Sequence, residues 1–186
     1  MRKYFCRDDH RKDEHIYETN KNNRFVLGTM GVKTLIAIGV NPSIATPDNY
    51  DQTIKKLAVF SRLFYFDSWI MLNIYPQIKT EFNELPDIYD QNVNLENIDK
   101  INKIIKLHYN KNSKIIAAWG DLIEEKAYLF QLLKNIVDEI NGLDLEWFRI
   151  GKLTLQNHPR HLSRIGYDEK LHKFNLRYYY DSKLND

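Results

Sequence analysis

The pattern of the chain predicts an α/β fold: a three-layer αβα sandwich around a mostly parallel central sheet of about four strands. Three observations carry that expectation. Four short apolar runs, Lys33–Ile38, Trp69–Leu72, Lys114–Ala118 and Leu145–Ile150, alternate with amphipathic stretches. Each run is too short for a helix and rich in β-branched or aromatic residues, as buried strands are. Strand and helix in strict alternation is the signature of parallel strands joined by crossover helices.

The elements follow in order. Residues 1–23 mix both signs of charge, with Asp8, Asp9, His10, Arg11, Lys12, Asp13, Glu14 and His15 in one block, and read as a peripheral solvated segment rather than a metal site. Arg24–Leu27 forms a first short strand, and Gly28 and Gly31 turn the chain into Lys33–Ile38. A helix from about Gln52 to Phe66 carries Leu57, Phe60 and Phe64 at helical spacing. After the Trp69–Leu72 strand, a long loop from Lys79 to Asn94 includes Pro86, and loops of that length are often functional. Leu95, Ile98, Ile101 and Ile105 mark a helix ending near Tyr109. Ile123, Ala127, Phe130, Leu133, Val137 and Ile140 make the strongest helical stripe, closed by Asn141-Gly142. Thr154–Asn157 then leads to His158-Pro159, and Tyr167 to Tyr180 reads as a closing helix with an aromatic face.

Composition narrows the function. The chain has 186 residues, 43% hydrophobic and 28% charged, which suits one globular domain spanning 1–186 with a buried core. Nothing approaches the roughly 18 apolar residues of a membrane span, and no apolar block follows Met1-Arg2-Lys3, so a cytoplasmic location is expected. A single cysteine, Cys6, excludes an internal disulfide and a cysteine-built zinc or iron–sulfur site, and no metal or other cofactor is expected. The net charge of +2 does not by itself call for nucleic acid.

Chemistry is expected where strands stop. In open α/β sheets the ligand crevice lies outside the carboxyl ends of the strands. The run Thr34–Ile38 ends in Gly39-Val40-Asn41-Pro42-Ser43, the run Met71-Leu72 ends in Asn73, and Ile115-Ile116-Ala117-Ala118 ends in Trp119-Gly120. A plainer account stands beside each: Asn41 before proline initiates a turn, Asn73 caps a neighbouring helix, Trp119 and Phe60 are core, and His158 is a satisfied structural histidine.

Together these strand ends, with His158-Pro159-Arg160-His161-Leu162-Ser163 and then Gly166-Tyr167, resemble the motifs of the uracil-DNA glycosylase superfamily in order and rough spacing. More closely, Asn41-Pro42-Ser43-Ile44-Ala45, Asp51-Gln52-Thr53, the Trp119-Gly120 strand and Pro159-Arg160-His161 resemble a small bacterial and phage family of unassigned function. The first resemblance implies a glycosylase-like fold and a DNA glycosylase that hydrolyses the N-glycosidic bond of a mispaired, damaged or 5-substituted pyrimidine. It implies Asn41 as the residue that orients water and His158 as the donor to the departing base. Asn73 would read the base edge, Ser43 would leave room for a 5-substituent, and Tyr50 or Phe60 would stack on the extruded base. Leu162 would wedge into the base stack, while Arg160, His161, Ser163 and Arg164 hold flanking phosphates. Asn41 departs from the aspartate of the classical uracil enzymes, and an amide is a poor base. A non-catalytic binder of a nucleotide or modified base, or an enzyme acting on free nucleotides in DNA-modification metabolism, therefore stays open. The expected partner is DNA or a nucleotide, not a membrane.

Overall fold

A computed structural model describes residues 14–80 and 84–184. The α/β class holds, but the expected sheet of about four mostly parallel strands does not. The sheet has seven strands in the order β1-β2-β4-β3-β5-β6-β7. They are β1 (His15–Thr19), β2 (Arg24–Thr29), β3 (Thr34–Gly39), β4 (Ser68–Asn73), β5 (Lys114–Ala117), β6 (Trp147–Ile150) and β7 (Leu171–Lys173). Pairing is parallel for β4–β3, β3–β5 and β5–β6, and antiparallel for β1–β2, β2–β4 and β6–β7. The sheet is mixed, with antiparallel strands along both sides.

The reason lies in burial. All six residues of β2, β3 and β4 are buried, so their sequences are continuous apolar runs. Edge strands face water. In β1 exposed and half-buried residues alternate, and none of the three residues of β7 is buried, so neither carries an apolar run. β1 accordingly lies within the charged 1–23 stretch. Residues 1–13 of that stretch, Cys6 among them, lie outside the described residues. β7 likewise interrupts the expected Tyr167–Tyr180 helix, and only α4 (Leu176–Leu184) follows it.

The other helices are α1 (Gln52–Leu63), α2 (Gln91–His108) and α3 (Leu129–Ile140). Asp51 caps α1 by accepting the Ile54 N–H at 2.8 Å, and Asp90 caps α2 by accepting from Asn92 and Val93. α1 stops short of Phe66 because Tyr65 turns left-handed, with φ of 62°. The stripe expected from Ile123 divides into a 3-10 turn, Asp121–Glu124, and α3 proper.

Strand alternation sends side chains to two cores. Ile36, Ile38, Ile70, Leu72 and Ile115 meet α2 and α3 on one face. Leu35, Ala37, Trp69, Met71 and Ile116 meet α1 on the other, with Leu162 and Ile165 beside it. Burying each such aliphatic side chain contributes roughly 2 kcal/mol, offset by the entropy of ordering the chain. Among the described residues, no helix is long and apolar enough to cross a membrane.

Candidate functional site

β3, β4, β5 and β6 run in one direction, so the segments that follow them gather along one edge of the sheet. Asn73 ends β4 opposite Gly39 of β3. Alternation points its side chain to the α1 face, and a Cβ at Gly39 would stand 3.2 Å from Asn73 Oδ1 and 2.6 Å from Met71 Cε. The missing side chain at Gly39 thus makes the space in which the amide sits. Asn73 is 1% exposed, and neither Oδ1 nor Nδ2 has a hydrogen-bond partner. Leaving a buried polar group unpaired costs about 1–3 kcal/mol. Its backbone carbonyl, by contrast, is held by Asn97 Nδ2 at 3.0 Å.

A second buried polar group stands on the same face. Arg24 opens β2 and is 2% exposed. Its Nη1 donates to the carbonyl oxygens of Ala45 at 2.9 Å and Ser43 at 3.4 Å, while its Nε is buried without a partner. Burial lowers the guanidinium pKa, and the Asp51 carboxylate opposes that shift. Asp51 has both oxygens occupied, one by the Ile54 N–H and one by the Ser43 hydroxyl. Ser43, whose proton is committed to Asp51, is left as an acceptor. The same aspartate therefore starts α1, fixes the Asn41–Ser43 loop and faces the buried arginine.

Asn41 is oriented by its own donors. Nδ2 donates to Lys79 O at 3.0 Å and to Pro42 O at 3.2 Å, which leaves Oδ1 as the open acceptor.

The two histidines of the last loop go to opposite faces. His158 is fully buried beside Phe130 and Tyr179 on the α3 side. Nδ1 lies 2.7 Å from Tyr179 Oη, and Nε2 lies 2.7 Å from Glu124 Oε1. Trp119 Nε1 donates to Tyr179 Oη at 3.0 Å. The tyrosine proton therefore goes to Nδ1, and the imidazole donates through Nε2 to Glu124. Both ring nitrogens are spent, and among the described residues no hydrogen bond joins His158 to Asn41 or Asn73. The role of donor to a departing base is withdrawn from it.

His161 lies on the α1 side, where Asp51 and Arg164 act on it electrostatically. Its Nδ1 is 2.8 Å from Ser163 Oγ, and no hydrogen bond engages Nε2 among the described residues. Burial lowers its pKa more than the Asp51 carboxylate raises it, so it is neutral at pH 7. It packs against Gly120, where a Cβ would come within 3.2 Å of His161 Cβ and where φ is 65°. That glycine suits the position twice, for its left-handed backbone and for the close approach of the His161 backbone and Cβ.

His161, Arg160, Ser163 and Arg164 line an open cleft of about 670 Å³ together with Leu155 and the carboxylates of Asp121 and Glu125, so its charge is mixed. Two further expectations are corrected. Phe60 is fully buried in the α1 core, with Phe64 stacked on it at 5.7 Å, and offers no face to a base. Leu162, 1% exposed, packs in the same core and cannot wedge into a base stack. Tyr50 is half-buried, edge-on to Trp69 at 5.4 Å, with its hydroxyl 2.7 Å from His15 Nε2.

Sequence reading passed over Leu155, which is 98% exposed. It sits at the tip of a tight turn in which Asn157 N donates to Thr154 O and Thr154 N donates to His158 O. Asn157 takes φ of 64°, and Lys183 Nζ donates to Gln156 O at 2.7 Å. An apolar residue between turn formers was the only signal. Arg24, hidden in a strand assignment, and Asp51, noted only within a motif, were passed over as well.

The arrangement defines a class: a mixed-sheet α/β protein with buried, unpaired polar groups at the carboxyl edge of its parallel strands and an open cleft of mixed charge lined by the segments that follow β5 and β6. Within that class, the chain belongs to the family described as Protein of unknown function (DUF1643), which it matches over residues 24–161. The match opens at Arg24 and closes at His161. No curated protein and no solved structure matches the chain.

Proposed function

We propose that this chain recognises a pyrimidine base in nucleic acid and hydrolyses its N-glycosidic bond. The observation that carries the reading is the buried Asn73 amide with both atoms unpaired. One donor and one acceptor on a single plane match the edge of a pyrimidine. A base that reached this amide, which is 1% exposed in the unliganded chain, would recover two hydrogen bonds that the protein alone forgoes.

The chemistry uses neighbouring groups. The glycosidic bond breaks with its electron pair going to the base nitrogen, water adds to the sugar carbon, and a water proton ends on the departed base. Asn41 Oδ1, fixed by the two bonds on Nδ2, accepts from that water. His161 replaces His158 as the donor: in the tautomer whose Nδ1 accepts from Ser163 Oγ, the proton is on Nε2, available to the developing negative charge on a base oxygen. Preorganised donors of this kind lower a barrier by a few kcal/mol. Arg160 and Arg164 hold phosphates, and Leu155 takes the wedge role lost by Leu162. Ser43 contributes a small side chain beside Asn41, compatible with a 5-substituent.

One observation favours a second reading. Asp51, hydrogen-bonded to Ser43 of the Asn41 loop, has both its oxygens committed, so it offers no free base for water. A non-catalytic nucleotide or modified-base binder needs none.

The test is an abasic-site assay on duplexes carrying uracil, mispaired thymine or 5-hydroxymethyluracil. Strand scission after alkali is expected, reduced about 100-fold in Asn73→Ala and in His161→Ala, with His158→Gln affecting stability instead. Calorimetric binding of the same bases without scission selects the second reading. Neither scission nor binding overturns both.

A further inference from the structure

A cleft of about 770 Å³ opens between α3 and α4, in the face of the sheet opposite α1. Its walls include Phe130, Val137, Leu143, Trp147, Phe174 and Tyr180. That volume is typical of small-molecule sites, whereas surfaces that receive proteins are flatter and larger.

Two features distinguish it from a packing gap. The Tyr180 hydroxyl is buried without a hydrogen-bond partner, although a buried phenol O–H usually finds one. The rim carries three cations, Lys134, Arg177 and Lys183, against two carboxylates, Asp138 and Asp181. Lys134 is paired with Asp138 at 2.5 Å, and Lys183 is bonded to Glu124 and to Gln156 O. Arg177, exposed on the first turn of α4, makes no hydrogen bond or ion pair among the described residues. Apolar walls, one unsatisfied hydroxyl within them and one open cation at the mouth describe the complement of an amphipathic molecule.

We propose that the α3–α4 cleft is a second binding site, for a small amphipathic monoanion. Its apolar body lies against Phe130, Val137 and Trp147, a hydroxyl or carbonyl on that body pairs with Tyr180 Oη, and its anionic end meets Arg177. The proposal stands apart from the nucleobase reading and shares no side chain with that site.

Calorimetry on the full chain at low salt, with 3-hydroxyoctanoate, its uncharged amide and octanoate as probes, tests it. Saturable binding of 3-hydroxyoctanoate is expected, with the amide about fivefold weaker, the scale of one exposed ion pair. Arg177→Ala should erase that difference, and Tyr180→Phe should erase the preference over octanoate. Val137→Trp and Leu143→Trp, each checked for an unchanged circular dichroism spectrum, should fill the cleft and abolish binding. Absence of saturable binding, equal affinity for acid and amide, or binding that survives both tryptophan variants overturns the proposal.

Discussion

Asn73 and His158 show opposite solutions to burying a polar side chain. His158 has every hydrogen bond it can make, in a chain directed from Trp119 through Tyr179 to Glu124. Burial holds its pKa below the ordinary 6.5, so the unfolded chain takes up a proton that the folded chain refuses. Stability contributed by this group is complete above about pH 6.5 and is lost as pH falls toward the depressed value. Thermal melts should therefore show Tm dropping below pH 6.5, and His158→Gln, lower at neutral pH by about 3 kcal/mol, should show a shallower fall. An equal pH slope in both proteins would show that other groups, such as the similarly depressed His161, set it. Asn73 predicts the reverse sign. Asn73→Leu removes two unpaired polar atoms, so denaturant unfolding should show a gain of about 1–2 kcal/mol, while base binding disappears. Sequence reading placed Asn73 correctly at a strand end, because a polar residue closing an apolar run is visible in one dimension. It could not separate His158 from His161: three positions apart in an irregular loop, they go to different faces of the sheet, and no periodicity records which.

At the scale of elements, legibility followed burial. Central strands and α3 were readable because each presents a continuous or periodic apolar signal. The edge strands β1 and β7 were not, since half of their surface faces water. The turn 154–157 carries no apolar period in the sequence, yet its hydrogen bonds and its tie to α4 hold Leu155 in the open. A side chain 98% exposed contributes nothing to packing. Leu155→Ala should leave the unfolding free energy unchanged within about 0.5 kcal/mol while reducing the fluorescence rise of 2-aminopurine placed beside the target base in a duplex. An undiminished rise would remove the wedge role from this turn.

For the whole molecule, the two sheet faces divide the work. The α1 face carries the polar site at its edge, and the α2–α3 face holds the larger core, which includes Trp119 and Tyr179 of the His158 chain. The near-neutral total charge of +2 has a local counterpart in the cleft, where Arg160 and Arg164 stand with Asp121 and Glu125. Duplex binding should weaken with salt by a slope of about 0.9 per phosphate neutralised. Arg160→Ala with Arg164→Ala should reduce that slope by about 2; an unchanged slope would place the phosphates elsewhere. The strand order has a kinetic corollary. β2 and β3 are close in sequence but β4 lies between them, so they cannot zip together as a hairpin. Until residues 68–73 slide into that slot, neither the Gly39–Asn73 pairing nor the sheet's middle exists. Distant segments must close first, a slow route for chain diffusion, and half-built intermediates of this protein should be short-lived and without affinity for any base.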